Sequence, residues 1–180
     1  AVGLPSFPHP SYPKPKWSWK DLLTEKYQLA GMAVSNSIIE ASHPDYEGEH
    51  KIKGWFIVGT NLIKTVPDQK YTFEALQNLD LVVAVDILPM EITGYADVIL
   101  PECSYLERYD YSRTGPGREP SIAIRTAAVE PLYNSKPADW MVKELSKKLD
   151  LESFFAYENF TEVLDWQFQQ IGSSLAQMKE

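Results

Sequence analysis

The sequence predicts an α/β fold with a mainly parallel sheet and flanking helices. Two observations predict it: short runs that are apolar along their whole length, and helix-like segments that alternate with those runs. Strands of a parallel sheet are covered on both faces, so they read as continuous apolar runs rather than as alternating ones. The 180 residues are 44% hydrophobic, which is enough to build the core of such a domain.

The N-terminal part predicts an extended segment followed by a helix. Five prolines fall within the first fifteen residues, so residues 1–17 are expected to be non-helical. Ser18 to Asp21 is typical of a capping box, and apolar residues at helical spacing continue as far as Ile38. A helix of about 20 residues is predicted there.

Three apolar runs predict the strands of the sheet, at residues 55–58, 81–86 and 96–101. The segment 71–80 predicts a short helix between the first two runs. The alternating segment 121–131 predicts a further strand.

The C-terminal part predicts two more helices. One covers residues 137–149, with Pro137 in its first turn and paired lysines in its last. The other covers residues 159–178 and carries one apolar stripe. The stripe consists of Leu164, Phe168, Ile171, Leu175 and Met178. The predicted organisation is an extended segment at 1–17, a Rossmann-like three-layer domain at 18–150, and an amphipathic helical extension at 151–180.

Charge and cysteine content exclude several classes of function. The net charge of −8 argues against general affinity for nucleic acid or for an anionic membrane, because both need a basic surface. A single cysteine, Cys103, excludes an intrachain disulfide and a cysteine-based metal or iron–sulfur cage within the chain. No apolar run approaches the roughly 20 residues that span a bilayer.

Polar residues follow each predicted strand, where ligands bind in open α/β sheets. Gly59, Thr60 and Asn61 follow the first strand, Asp86 ends the second, and Glu102 follows the third. A carboxylate such as Asp86 can accept two N–H donors of a guanine or the hydroxyls of a ribose. The pattern fits a nucleotide site or a plain α/β core with polar strand ends. Neither the NAD-type GxGxxG nor the P-loop motif occurs, which disfavours an NAD-dependent dehydrogenase.

These segments, taken together, resemble one domain of the molybdopterin oxidoreductases. The shared pattern is GWFIVGTNLI, AVDILPMEITGYADVILPECSYLERYD, GPGR and the helix that begins PADW. The form YADVILPECSYLERYD is most similar to catalytic subunits of polysulfide and thiosulfate reductases. Leu62 departs from the pattern, in which a proline commonly follows the Gly-x-Asn turn.

The resemblance implies a molybdenum enzyme whose cofactor is molybdopterin guanine dinucleotide, with this domain holding one guanosine arm. It also implies an iron–sulfur cluster in an N-terminal region that has no counterpart here, so the chain is expected to be an excised internal domain that is inactive alone. The implied partners are the remaining domains of the same catalytic subunit, an iron–sulfur electron-transfer subunit and a membrane anchor subunit, with no nucleic acid. The implied cofactor-binding residues are Gly59, Thr60, Asn61, Asp86, Arg108 and Asp139.

An alternative function is a non-enzymatic α/β module that binds a nucleotide or a partner protein through the same strand ends. The remaining reactive side chains receive structural roles. Cys103 is predicted to be a buried thiol rather than a metal ligand, and Glu107 is predicted to pair with a nearby arginine. The three histidines, at positions 9, 43 and 50, are predicted to be exposed. Asn159 is predicted to cap a helix together with Glu162. None of these residues is assigned a catalytic role.

Overall fold

The computed structural model describes residues 4–12, 35–49, 51–115, 117–119 and 121–180. The chain divides into two compact units, Pro13–Pro101 and a second unit that joins Ala1–Tyr12 to Glu102–Glu180. The domain boundaries after residues 17 and 150 stay predictions.

The first unit is built on a three-stranded parallel sheet. The strands are β1 (Gly54–Val58), β2 (Leu81–Asp86) and β3 (Val98–Pro101), in the order β1-β2-β3. The helices that flank the sheet are α1 (Ser35–Ser42), α2 (Leu62–Thr65) and α3 (Gln69–Gln77). A 3₁₀ turn at Glu91–Tyr95 lies between β2 and β3. The predicted α/β class, with a Rossmann-like parallel sheet and flanking helices, is confirmed.

Two helices of this unit differ from the prediction, and one lies largely outside the described residues. The predicted capping box at Ser18 and most of the helix after it are outside them; α1 is the described end of that segment. Helix α3 begins two residues early because Asp68, at φ 61°, accepts the backbone N–H of Tyr71 and caps it. The four residues of α2 are too few to show a helical period in the sequence.

Apolar side chains from the helices and strands form the core of this unit. It consists of Ile39, Trp55, Ile57, Ile63, Val66, Ala75, Leu76, Val82 and Ile92. Only the central strand β2 is buried along most of its length. The expectation of full burial is wrong for β1, where Phe56 is 45% exposed, and for β3. Both are edge strands of this sheet, and a continuous apolar run does not reveal which strand is central.

The histidine prediction is wrong at one position. His43 is buried, with its Nε2 3.1 Å from Glu74 Oε2 and its ring stacked on Tyr71 at a centroid distance of 4.0 Å. Both partners lie on α3, about 30 residues further along the chain, so the local polar sequence around His43 does not reveal them. His9 is exposed as predicted, and His50 lies outside the described residues.

The second unit contains a β-hairpin and two helices. Its strands β4 (Asp110–Gly115) and β5 (Ser121–Arg125) are antiparallel, with an irregularity in register between Asp110 and Arg113. Its helices are α4 (Ala138–Lys148) and α5 (Phe160–Gln169). The predicted strand at 121–131 therefore exists only over β5, in a separate sheet. The polar sequence of β4, DYSRTG, carries no strand signal, because this strand buries little apolar surface.

Helix α5 is shorter than predicted, and its stripe is broken. The chain leaves the helix after Gln169 and turns at Gly172, which has φ 76°. After the turn, Leu175 N–H donates to Asp165 Oδ1 at 2.8 Å, which returns Leu175 to the buried cluster of Leu164 and Phe168. Ile171 falls in the turn and is 46% exposed, so its place on the stripe is wrong. The predicted cap is confirmed, since Glu162 accepts the backbone N–H of Asn159 at 3.2 Å.

The proline-rich residues 4–12 are non-helical, as predicted, and pack against α5 within the second unit. Gln167 Nε2 donates to the carbonyl of Pro5 at 2.9 Å. Phe7 contacts Trp166 edge to face, with ring centroids 5.5 Å apart. The N-terminal segment is thereby fixed to the C-terminal part of the chain. Among the helices of the described ranges, none is long and apolar enough to cross a membrane.

Candidate functional site

The turn after β1 and the end of β2 lie side by side at the carboxyl edge of the parallel sheet. Val58 and Val85 are paired in register, and the N–H of Gly59 donates to the carbonyl of Val85 at 2.9 Å. Gly59 has φ 58°, which glycine adopts at little cost, and apart from its chain neighbours no atom of the described residues lies within 4 Å of where its Cβ would be. A ligand can therefore approach the backbone of this turn closely.

Asp86 ends β2 at the same edge. Its Oδ1 accepts the N–H of Ile87 at 2.7 Å, which fixes the carboxylate against the following turn. Its other oxygen makes no hydrogen bond to any of the described residues, and the side chain is half-buried. That oxygen can accept hydrogen bonds from a ligand.

Asn61 is buried, at 5% exposure, between this turn and the 3₁₀ turn that precedes β3. Its Nδ2 donates to Glu91 Oε2 at 2.6 Å, while its Oδ1 is buried and has no hydrogen-bond partner among the described residues. Thr60 precedes it and is half-buried. Sequence reasoning missed Glu91, because it is 30 residues from Asn61 and sits in a segment without a regular pattern.

Arg108 and Asp139 lie in the second unit, where they line one cavity of about 350 Å³. Arg108 Nη1 donates to Glu102, and its Nε lies 3.1 Å from Asp110 Oδ1, outside hydrogen-bond geometry. Two carboxylates thus neutralise its charge. Burial raises the pKa of Asp139, which lies in the first turn of α4, and nearby Arg108 opposes that increase.

The structure therefore brings the predicted site residues together in two groups. Gly59, Thr60, Asn61 and Asp86 form the carboxyl-edge group in the first unit. Arg108 and Asp139 form a separate pair within the second unit.

The predicted pairing of Glu107 with an arginine is wrong. Glu107 is buried and accepts two backbone N–H groups, from Ser104 and Leu132, each at 2.7 Å. These bonds hold the pKa of Glu107 below its usual range, so the carboxylate stays charged while it joins two loops. The carboxylates that pair with arginines in this region are Glu102 and Asp110. Sequence proximity cannot distinguish a carboxylate that caps loops from one that pairs with a neighbouring cation.

Cys103 is buried, as predicted, with its Sγ 3.8 Å from Ser135 Oγ. Burial raises the pKa of the thiol, which disfavours the thiolate that a metal requires. In the part of the chain that the structure describes, no three His, Cys, Asp or Glu side chains are grouped to hold a metal ion.

The chain is similar to proteins of one known family. A model of the molybdopterin oxidoreductase family matches residues 15–148. The thiosulfate reductase molybdopterin-containing subunit PhsA of Salmonella typhimurium is 34% identical over 149 residues, which are 82% of this chain and 19% of that protein. The F420-dependent formate dehydrogenase subunit alpha of Methanocaldococcus jannaschii is 30% identical over 157 residues, 87% of this chain and 22% of that protein.

A solved structure shares the fold. Acetylene hydratase from Pelobacter acetylenicus superposes with a TM-score of 0.68 at 24% sequence identity, over 84% of this chain and 20% of that one. The chain spans about a fifth of the length of these relatives. With the family match covering most of the chain and the same fold in a solved relative, the chain belongs to the molybdopterin oxidoreductase family.

Proposed function

We propose that the chain is part of the catalytic subunit of a molybdenum-dependent reductase that acts on thiosulfate or polysulfide. Its role is to bind one guanosine arm of a molybdopterin guanine dinucleotide. The identity to a thiosulfate reductase subunit is 34%, against 26% and 30% for a Shewanella frigidimarina nitrate reductase and a Bacillus subtilis assimilatory nitrate reductase, which supports the substrate class.

The observation that carries the proposal is the hydrogen bond from Gly59 to Val85, which places the Gly59 turn beside the end of β2, where Asp86 lies. Parallel sheets bind nucleotides beyond the carboxyl ends of their strands. The open backbone at Gly59 and two oxygens without a hydrogen-bond partner among the described residues, one of Asp86 and Oδ1 of Asn61, are chemically suited to the N–H and O–H groups of a guanosine. These residues fit the cofactor.

In this proposal the chain binds the cofactor and contributes no catalytic residue. When bound, the molybdenum centre supplies the redox chemistry, and the protein supplies binding and orientation. Thr60 completes the turn, while Arg108 and Asp139 are further proposed contacts from the second unit. The proposed partners are the remaining domains of the catalytic subunit with their iron–sulfur cluster, an iron–sulfur electron-transfer subunit and a membrane anchor subunit. The 180-residue chain alone is expected to be inactive.

The proposal is tested on the whole catalytic subunit, purified without oxygen. We expect acid denaturation to release molybdenum together with guanosine monophosphate, in molar excess over the metal, since the proposed cofactor has two dinucleotides for each metal. With a reduced viologen as electron donor, we expect turnover of thiosulfate or polysulfide. Nitrate serves as the control substrate and is expected to give no turnover. Release of neither metal nor guanine nucleotide would refute the cofactor role, and turnover of nitrate in preference to thiosulfate would refute the substrate class.

Cys103→Ala is expected to leave the cofactor in place. Replacing the cysteine side chain by a methyl group removes the sulfur atom from the packing and should lower the free energy of unfolding by about 1 kcal/mol. Urea denaturation measures that loss, and the electron paramagnetic resonance signal of molybdenum reports the ligands of the metal. Cys103→Ser, which retains a small polar side chain at the same position, is the matched control. A changed or lost signal in folded Cys103→Ala protein would identify the thiol as a metal ligand.

A further inference from the structure

The orientation of the Asn61 amide is determined by its neighbour Glu91. A carboxylate only accepts hydrogen bonds, so the group 2.6 Å from Glu91 Oε2 must be the NH₂ of Asn61. Bonds from its own backbone N–H and from Asn61 hold the pKa of Glu91 below its usual range, so Glu91 is ionised at neutral pH. Lys64 Nζ lies 3.4 Å from Glu91 Oε1 and balances its charge.

The amide oxygen of Asn61, Oδ1, does not cap the helix that follows it. Asn61 is the N-cap residue of α2, where an asparagine oxygen usually accepts a backbone N–H of the first turn. Asn61 makes no such bond. Its Oδ1 is buried and has no partner among the described residues, which is unfavourable for a polar atom. Rotating the amide would not give Oδ1 a hydrogen-bond donor, because Oδ1 would then face the carboxylate of Glu91.

We propose that Glu91 is a positioning residue that reserves Asn61 Oδ1 for a hydrogen-bond donor of the ligand. This inference rests on the proposed cofactor-binding function and specifies the chemistry of the contact. The ligand group at the Gly59–Asn61 turn is then an N–H of a purine or pterin ring, or a ribose hydroxyl. A phosphate is excluded at this contact, because its ionised oxygens cannot donate and the adjacent Glu91 carboxylate repels them.

The test compares three variants of the whole catalytic subunit: Glu91→Gln, Glu91→Asp and Lys64→Gln. A glutamine at position 91 can donate as well as accept, so Asn61 is free to turn its oxygen inward. We expect Glu91→Gln to weaken cofactor binding by about ten-fold, the effect of one lost hydrogen bond, and so to lower the molybdenum and guanosine monophosphate retained after gel filtration. Glu91→Asp keeps the carboxylate and should restore part of the retention. Lys64→Gln removes only the ionic neighbour and should retain both within about two-fold.

Thermal unfolding of the cofactor-free subunit separates positioning from a purely structural role. Glu91→Gln gives the buried Oδ1 a donor, so we expect a midpoint equal to or above that of the unsubstituted protein. A lower midpoint together with lower retention would overturn the inference in favour of a structural role. Unchanged retention in Glu91→Gln, while the unsubstituted subunit holds guanine nucleotide, would overturn the inference alone. Absence of guanine nucleotide from the unsubstituted subunit would overturn the proposed function itself.

Discussion

Asp86→Ala is expected to make the catalytic subunit lose its molybdenum cofactor during purification. If the carboxylate accepts two N–H donors of a guanine, its removal leaves those donors unpaired and costs about 2–3 kcal/mol of binding free energy. This corresponds to a weakening of about 30- to 150-fold. The molybdenum-to-protein ratio after gel filtration measures the loss.

Asp86→Asn is the matched control, because it separates ligand binding from local structure. Asparagine keeps an oxygen that can accept the N–H of Ile87, the bond that fixes the turn after β2. It replaces the second acceptor by an NH₂ group, which only donates and so cannot bond to the N–H donors of the ligand. We expect both variants to lose the cofactor, and Asp86→Asn to unfold at the temperature of the unsubstituted protein. Full retention of molybdenum in folded Asp86→Ala would show that the guanosine arm binds elsewhere.

Phe168→Ala is expected to cause the largest loss of stability. The side chain is fully buried with Leu164 and Leu175, and hydrophobic residues of the hairpin β4–β5 pack against this cluster. Removing a phenylalanine ring from such a core costs about 3–5 kcal/mol. Because a domain is stabilised by only about 5–15 kcal/mol, a large share of the second unit's stability would be lost. Urea denaturation followed by far-ultraviolet circular dichroism measures the change.

Ile171→Ala is the control from the same apolar pattern. It follows α5 at the spacing of Phe168 and Leu175, but in the turn it is half exposed. Its replacement should cost no more than about 1 kcal/mol. Equal losses for the two variants would contradict the packing described for the end of α5.

The parallel sheet could be predicted from the sequence because its signal is local. Each of β1, β2 and β3 is a short apolar run with polar residues after it, and such runs are typical of strands in a parallel sheet. The helical segment between the first two runs also favours a parallel pair. Strand β4 could not be predicted, since its polar sequence is stabilised by pairing with β5 rather than by its own composition. The end of α5 could not be predicted either. Leu175 packs in the same cluster as Phe168 although a turn separates them. The apolar spacing in the sequence is therefore the same as that of an unbroken helix.

In the candidate site, too, the residues that follow strands could be predicted, and those that depend on contacts with distant residues could not. Gly59 and Asp86 could be named because ligand-binding residues follow strands, and strands are visible in the sequence. Glu91 could not, because its role depends on a contact with a residue 30 positions away. The same is true of Glu107, whose partner Leu132 lies 25 positions further along the chain.

The attachment of residues 4–12 to α5 sets an order of events on the ribosome. The bond from Gln167 to Pro5 joins positions 162 residues apart. At a synthesis rate of about 5–20 residues per second, the N-terminal segment waits roughly 10 to 30 seconds for its binding surface to be made. Its prolines keep it extended during that time, so little conformational entropy is lost when it finally docks. The second unit can therefore complete its folding only after α5 has left the exit tunnel, although its residues 4–12 are made well before that helix.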